Sequence, residues 1–240
     1  MNANLLIDAI VRQTTVLIAQ LSTAAGIRAP LAHVADQVFV DLARELESQG
    51  LGRKVVADIL KVRGDALIVP GLGAPTWDAA AAGDHPLTFH NWGGMGGAAM
   101  IGLGLALAQP KRRVLVITGD GELLMGLGSL ATVGVQQPRN LTVIVLDNEH
   151  YGETGMQQTH TRFGVDLAGV AKSCGFRASG TIRNGAQLKA WIPRFYRSPG
   201  PVFATIKVDT RPAPMVLPLR EGTAIKHRFR EALLGAKAHE

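Results

Sequence analysis

The chain is poor in cysteine, in aromatic residues and in long apolar runs. It has one cysteine in 240 residues, Cys174, which excludes a disulfide scaffold and a metal site built from several cysteines. Aromatic residues make up 5% of the chain against 28 glycines, which favours close backbone packing over an aromatic-rich β-sandwich. No run reaches the ~18 apolar residues of a membrane span, and residues 1–15 lack the layout of a signal peptide. These absences predict a cytoplasmic protein with no membrane partner.

Charge is also scarce, at 18% of residues, and it is unevenly placed. The formal net charge of +6 is the sum of 0 over residues 1–62, −2 over residues 63–176 and +8 over residues 177–240. The neutral first region argues against nucleic-acid binding, which needs a basic surface. For the basic residues near the C-terminus, a solvated helix face is favoured over a site for an anionic partner: Arg220, Lys226, Arg228 and Arg230.

The spacing of apolar residues predicts a small helical N-terminal segment over residues 1–62 and an α/β domain over residues 63–240, which ends in a basic helix. Within that domain, short apolar runs predict strands at 66–69, 87–90, 114–117, 141–146 and 202–208. Helical patterns occupy 76–82, 94–108, 122–136, 167–175 and 186–196, and a polar loop occupies 147–163. Continuous apolar strands that alternate with helices indicate a doubly wound parallel sheet with helices on both faces.

Two polar clusters follow predicted strands of this sheet. The first is Gly119-Asp120-Gly121-Glu122, and the second is Asp147-Asn148-Glu149-His150-Tyr151-Gly152. Ligands of such sheets bind beyond the carboxyl ends of the strands. A spacing of 148 − 120 = 28 residues leaves room for one helix and one strand, so the two strand ends are expected to be neighbours. An ordinary strand–turn–helix junction would explain the first cluster alone, but the pair favours a metal and diphosphate site.

With these motifs the sequence resembles the cofactor-diphosphate-binding domain of thiamine-diphosphate-dependent enzymes. The family signature, Gly-Asp-Gly and a later Asn at a strand end, is here GDGELLMGLGSLATVGVQQPRNLTVIVLDN. Within the family, the chain is most similar to sulfopyruvate and phosphonopyruvate decarboxylases. This similarity covers residues 64–235 and rests on GGMGGAAMIGLGLALA, LLMGLGSLATVGVQQPRNL, DNEHYGETGMQQTH and IKHRF.

The resemblance implies two cofactors, thiamine diphosphate and Mg²⁺, and a residue set for each. The implied Mg²⁺ ligands are two side chains and one backbone carbonyl, those of Asp120, Asn148 and His150. The implied contacts to the diphosphate come from residues of both motifs: Gly119, Gly121, Glu122, Tyr151 and Gly152. Met95 is implied to hold the cofactor in its bent shape, with a plain core methionine as the alternative. The carbonyl of Gly93 is implied to accept from the aminopyrimidine.

Several residues depart from the family pattern or suggest catalysis. Glu122 stands where a small residue is common, and its carboxylate would repel a diphosphate unless it turns outward. Glu149, His150 and Glu153 replace small residues of the loop, which leaves the substrate open. The catalytic residue is unassigned within this chain. Three histidines are candidates, His90, His150 and His160, and an ordinary hydrogen-bonded loop histidine is the alternative for each.

The resemblance also implies a missing part. In this family the glutamate that activates the cofactor lies on another α/β domain, and residues 1–62 show no strand pattern for one. The chain is therefore predicted to be an incomplete enzyme that needs a pyrimidine-binding subunit in a homo- or hetero-oligomer. Its predicted function is a carboxy-lyase subunit that acts on a small 2-oxo acid. The alternatives are an acetolactate-synthase-like carboligase subunit and a non-catalytic thiamine-diphosphate-binding regulatory protein.

Overall fold

The computed structural model describes residues 51–52, 54–91, 93–210 and 215–239. The chain divides into two compact units, Met1–Gln49 and Gly50–Glu240, and every described residue belongs to the second. Most of the predicted helical arm, residues 1–50, thus lies outside the described residues. In the described part, no helix is long and apolar enough to cross a bilayer.

A five-stranded parallel sheet forms the centre of the described unit, with the strand order β1-β2-β3-β7-β6. The strands in chain order are β1 (Leu67–Pro70), β2 (Val114–Gly119), β3 (Leu141–Asp147), β4 (His150–Tyr151), β5 (Gln157–Gln158), β6 (Ala178–Ile182) and β7 (Val202–Lys207). The inner strands β2, β3 and β7 are buried along nearly their whole length, as expected for a sheet covered on both faces. Strands β4 and β5 form a separate antiparallel hairpin.

Helices cover both faces of the sheet. The helices are α1 (Val55–Leu60), α2 (Ala74–Ala81), α3 (Ala98–Ala108), α4 (Asp120–Met125), α5 (Ser129–Gln136), α6 (Leu167–Ser173), α7 (Gly185–Arg197) and α8 (Gly222–Leu234). Helices α3, α4, α5, α6 and α8 bury apolar side chains against one face. Helices α1, α2 and α7 do so against the other. The predicted doubly wound parallel sheet is therefore confirmed.

The domain boundary lies earlier than the predicted one after residue 62. Helix α1 buries Val56 and Ile59 completely in the core under the sheet, so it is part of the α/β unit. Leu51 also forms a parallel bridge with Val208, which extends the β7 side of the sheet. A boundary between residues 49 and 50, just before Leu51, replaces the one predicted from helical periodicity.

Two predicted elements differ from the structure, and one strand was not predicted. The predicted helix 122–136 breaks into α4 and α5 at Gly126, where an added Cβ would lie 2.1 Å from the carbonyl oxygen of Gly96. The predicted strand 87–90 makes a single bridge to β1, between Thr88 and Ile68, and Arg63 also donates to the Leu87 carbonyl and the Thr88 hydroxyl. The edge strand β6 was missed, since its sequence ASGTI carries little apolar surface.

Candidate functional site

A cavity of about 400 Å³ opens beyond the carboxyl ends of β1, β2 and β3. All the predicted cofactor and metal residues except Gly93 line it: Met95, Gly119, Asp120, Gly121, Glu122, Asn148, His150, Tyr151 and Gly152. The opposite wall comes from the β1–α2 turn and α2, through Leu72, Pro75 and Trp77. The structure thus places these predicted residues around one cavity, at the end of the sheet where such folds bind ligands.

Strand register explains how the two motifs meet. Gly119 pairs with Leu146 at the ends of β2 and β3, so Asp120 and Asp147 follow neighbouring strands in the same direction. The spacing of 28 residues between the motifs had indicated this arrangement. Strand β7 lies on the other side of β3, where Lys207 pairs with Asp147.

Asp120 is a buried carboxylate with an exposed fraction of 2%. The hydroxyl of Thr159 donates to its Oδ2 atom over 2.5 Å, and Thr161 Oγ1 lies 3.3 Å from the same oxygen. Burial, and to a smaller extent the charge of the nearby Asp147, raise the pKa of Asp120 to about 7, against the hydrogen bonds from Thr159 and local backbone N–H groups. Among the described residues Asp120 has no cationic partner, so its negative charge is uncompensated.

The Asn148–His150 turn is held by local hydrogen bonds. Asn148 Oδ1 accepts from the backbone N–H of His150 over 3.0 Å. His150 Nδ1 lies 2.8 Å from the carbonyl oxygen of Asn148, and because a carbonyl can only accept, Nδ1 carries the hydrogen. Two oxygens of this turn, the Asn148 amide oxygen and the His150 carbonyl, remain the predicted metal ligands beside Asp120. Within the described ranges, no three His, Cys, Asp or Glu side chains form a group that could hold a metal ion.

A charge network on the far side of the turn was not anticipated from the sequence. Lys207 Nζ lies 2.7 Å from Asp147 Oδ2 and 2.7 Å from Glu149 Oε1. Arg162 lies 3.2 Å from the other Glu149 oxygen. Although burial alone would raise the pKa of Glu149, hydrogen bonds and charge from Lys207 and then Arg162 lower it. Thr161 also donates to Asp147 over 2.8 Å, so every ionic group of the network has a partner.

Three glycines line the cavity: Gly119 and Gly152 adjoin open space, and Gly121 packs closely against a side chain. An added Cβ at Gly119 or Gly152 would meet nothing within 4 Å, so both face open space. At Gly121 an added Cβ would lie 2.6 Å from Cδ1 of Tyr151, so the Tyr151 ring covers this glycine. The close contact joins the first motif to the β4–β5 hairpin, which carries Tyr151.

Glu122 points inward rather than outward, contrary to the orientation expected beside a diphosphate. Its exposed fraction is 4%, and its Oε1 atom accepts from the N–H of Ala98, the first residue of α3, over 3.0 Å. Its Oε2 atom accepts from the hydroxyl of Thr118 on β2. The carboxylate therefore ties the start of α3 to the sheet, and only the backbone of Glu122 is left for a ligand contact.

The remaining candidates lie in different surroundings. Met95 is 37% exposed at the edge of the cavity, which is not the environment of a plain core methionine. Gly93 and His160 do not line the cavity. His90 is buried away from it, and burial lowers its pKa to about 4, so its ring is neutral at physiological pH. Of the three histidines, only His150 lies at the cavity.

Comparison with known proteins identifies the family. Residues 73–206, more than half of the chain, match the model described as thiamine pyrophosphate enzyme, C-terminal TPP binding domain. The chain belongs to this family. The predicted membership of the thiamine-diphosphate-dependent enzymes is thereby confirmed, and both motifs lie within the matched residues.

Several of the named relatives that match this chain are decarboxylases. The sulfopyruvate decarboxylase subunit beta of Methanothermobacter thermautotrophicus is 38% identical over 183 residues, which cover 76% of this chain and 95% of that protein. The phosphonopyruvate decarboxylase of Streptomyces viridochromogenes is 46% identical over 114 residues, 48% of this chain and 28% of that protein. These names agree with the predicted class, a thiamine-diphosphate-dependent carboxy-lyase subunit.

A solved structure shows the same fold. The X-ray structure of a thiamin diphosphate-dependent enzyme from Mycobacterium smegmatis superposes with a TM-score of 0.56 at 23% identity. The match covers 65% of this chain and 31% of that one. The two chains thus share a fold, and the matching part is a segment of the longer Mycobacterium smegmatis chain.

Proposed function

We propose that this chain is the thiamine-diphosphate- and Mg²⁺-binding subunit of a 2-oxo-acid decarboxylase of the sulfopyruvate and phosphonopyruvate type. A separate pyrimidine-binding subunit completes the active site in the oligomer. The relative that this chain covers almost entirely is named a subunit beta, which supports the expectation of a second chain. Its name and that of the phosphonopyruvate decarboxylase support the reaction class.

The observation that carries the proposal is the carboxylate of Asp120 at the cavity, which has no cationic partner among the residues that the structure describes. A buried carboxylate without a counter-charge is unfavourable, and a divalent cation supplies the missing charge. Asp147, the neighbouring carboxylate, is already neutralised by Lys207 at 2.7 Å. Of these two neighbouring carboxylates, Asp120 is therefore the one left to bind the ion.

The available donor atoms suit Mg²⁺. This ion prefers six oxygen ligands and commonly takes one or two from carboxylates while phosphates and waters supply the rest. Asp120, the amide of Asn148 and the carbonyl of His150 are oxygen donors on residues that line the cavity. Because such a set has few carboxylates, it fits a cation that is shared with a diphosphate.

This chain's residues provide binding and orientation. Gly119 and Gly152 leave the cavity open for a diphosphate, and Met95 offers an apolar contact at the opposite edge. Glu122 fixes the start of α3, which follows the segment carrying Met95. The chemistry that thiamine diphosphate supplies when bound is a nucleophilic carbon and an electron sink for loss of CO₂ from a 2-oxo acid.

The test combines the full-length chain with a pyrimidine-binding subunit, Mg²⁺ and thiamine diphosphate. Release of CO₂ from sulfopyruvate, phosphonopyruvate and pyruvate is measured, with Asp120→Ala as the matched inactive variant. The proposal expects CO₂ only when both chains and both cofactors are present. A silent mixture across all three acids contradicts it, and formation of an acetolactate-type product supports the carboligase instead.

A further inference from the structure

Lys207 holds the residues on both sides of a predicted metal ligand. Its ammonium group lies 2.7 Å from Asp147 Oδ2 and 2.7 Å from Glu149 Oε1, and Asn148 stands between these two residues in the chain. The side chain of Lys207 is 13% exposed and that of Asp147 is 2% exposed, so both ion-pair partners are largely shielded from water. One cation thus fixes the Asn148 turn from both flanks.

The backbone of this turn needs such support. Glu149 has a φ of 62°, in the left-handed region that favours glycine. The carboxylate of Glu149 is held by Lys207 and Arg162, and its backbone N–H donates to Asp147 Oδ1 over 3.1 Å. These contacts hold the residue after Asn148 in an unfavourable backbone conformation.

Lys207 pairs with only one of two neighbouring carboxylates, that of Asp147 and not that of Asp120. Asp120 and Asp147 are linked through the hydroxyls of Thr159 and Thr161, which lie 2.9 Å apart. Since Lys207 binds Asp147 Oδ2 and Thr161 binds Oδ1, both oxygens of Asp147 are occupied. Asp120 has no cation of its own among the described residues.

We propose that Lys207 is a positioning residue of the Mg²⁺ and diphosphate site. It orients Asn148 and keeps Asp147 and Glu149 out of the ion's coordination, so that Asp120 and Asn148 are the side chains that meet the metal. This inference rests on the proposed function and deepens it, because it assigns the choice of ligands to a residue outside both sequence motifs.

The test compares four forms of the full-length chain: the parent, Lys207→Met, the double variant Lys207→Met with Asp147→Asn, and the control Lys61→Met. Lys61 forms an exposed ion pair with Asp58 on the surface, so its loss removes a cation without touching the cavity. Binding of Mn²⁺ in the presence of thiamine diphosphate is measured by the electron paramagnetic resonance signal of free Mn²⁺. Competition with Mg²⁺ and Ca²⁺ gives the metal preference, and thermal unfolding in EDTA reports stability separately.

The expected result is a loss of ~10–100-fold in Mn²⁺ affinity for Lys207→Met, as found when groups that orient metal ligands are removed. The freed Asp147 carboxylate should also shift the preference towards Ca²⁺, which accepts more oxygen ligands. The double variant removes the unpaired charge of Asp147, so it should recover the parental metal preference and part of the affinity, while the control matches the parent. If Lys207→Met does not fold, recovery in the double variant carries the test.

Two results would overturn the inference while the proposed function stands. One is parental Mn²⁺ affinity in Lys207→Met. The other is an equal loss in the single and double variants with an unchanged Ca²⁺ preference, since that pattern reports lost stability alone. If the parent chain fails to bind Mn²⁺ with thiamine diphosphate both alone and together with the pyrimidine-binding subunit, the proposed function is overturned and the inference with it.

Discussion

Replacement of Asp120 by asparagine should stabilise the cofactor-free chain and abolish its metal binding. The pKa of Asp120 is raised from 3.8 to about 7 by burial and by the charge of Asp147. Since one pKa unit corresponds to ~1.4 kcal/mol, ionised Asp120 destabilises the folded chain by about 4 kcal/mol at pH 8. Asp120→Asn removes this destabilisation, but its hydrogen bond from Thr159 is no longer made to a charged group. The weaker hydrogen bond offsets about 1–2 kcal/mol of the stability gained. The net stabilisation is therefore about 2–3 kcal/mol.

The sign of the effect follows from linkage. A carboxyl group whose folded pKa lies above its unfolded value binds more protons in the folded state, so it destabilises the fold as pH rises. For Asp120 this loss begins near pH 4 and is complete above pH 7. The advantage of Asp120→Asn should thus be largest at pH 8 and vanish near pH 4.

Thermal unfolding in EDTA measures this advantage. For a unit of this size, about 2–4 °C per kcal/mol predicts a rise in Tm of about 4–12 °C at pH 8. Asp65→Asn, at an exposed aspartate, is the matched control and should leave Tm unchanged. Mg²⁺ and thiamine diphosphate at 1,000 times Kd should reverse the order, because they add about 4.1 kcal/mol to the parent alone, more than the advantage of the variant. An Asp120→Asn chain that gains no stability in EDTA, or that Mg²⁺ and cofactor stabilise as much as the parent, refutes the reasoning.

Three further substitutions test other parts of the site and fold. Gly121→Ala places a Cβ 2.6 Å from the Tyr151 ring, so this overpacking should cost about 1–3 kcal/mol in thermal unfolding and weaken thiamine diphosphate binding in calorimetry. Gly134→Ala places a Cβ 1.7 Å from the Cys174 carbonyl oxygen, so it should lower Tm strongly, whereas unchanged stability would contradict the α5–α6 packing. Glu153, a cavity carboxylate whose pKa is raised by burial, opposes anionic substrate groups. Glu153→Gln should therefore raise kcat/KM for sulfopyruvate relative to pyruvate in the two-chain assay, and an unchanged ratio would exclude this role.

Much of the fold could be predicted because the inner strands can be recognised from their own sequences. Strands β2 and β3 are buried on both faces, so their sequences are continuous apolar runs. Strand β6 lies at the sheet edge and is covered by Trp191, whose ring would be 2.7 Å from a Cβ at Gly180. That contact depends on tertiary packing, which is why local sequence did not predict the strand.

The candidate site shows the same division between local and tertiary signals. Asp120 and Asn148 were found because each directly follows an apolar strand, so their position can be read along the chain. Thr159, Thr161 and Lys207 were missed, since their roles depend on the return of the β4–β5 hairpin and on the pairing of β7 with β3. The sequence does contain a signal for Lys207, because this residue ends an apolar strand. Its position opposite Asp147 can be recognised only once the order of the strands is known.

Titration calorimetry of the full-length chain with thiamine diphosphate, with Mg²⁺ and then with EDTA, tests the proposed metal and diphosphate site most directly. The Asp120 carboxylate and the open cavity predict binding that requires Mg²⁺ and is lost in Asp120→Ala. Thiamine diphosphate binding of equal affinity in EDTA, or in Asp120→Ala with Mg²⁺, would contradict the assignment of Asp120 as the residue through which the metal holds the cofactor.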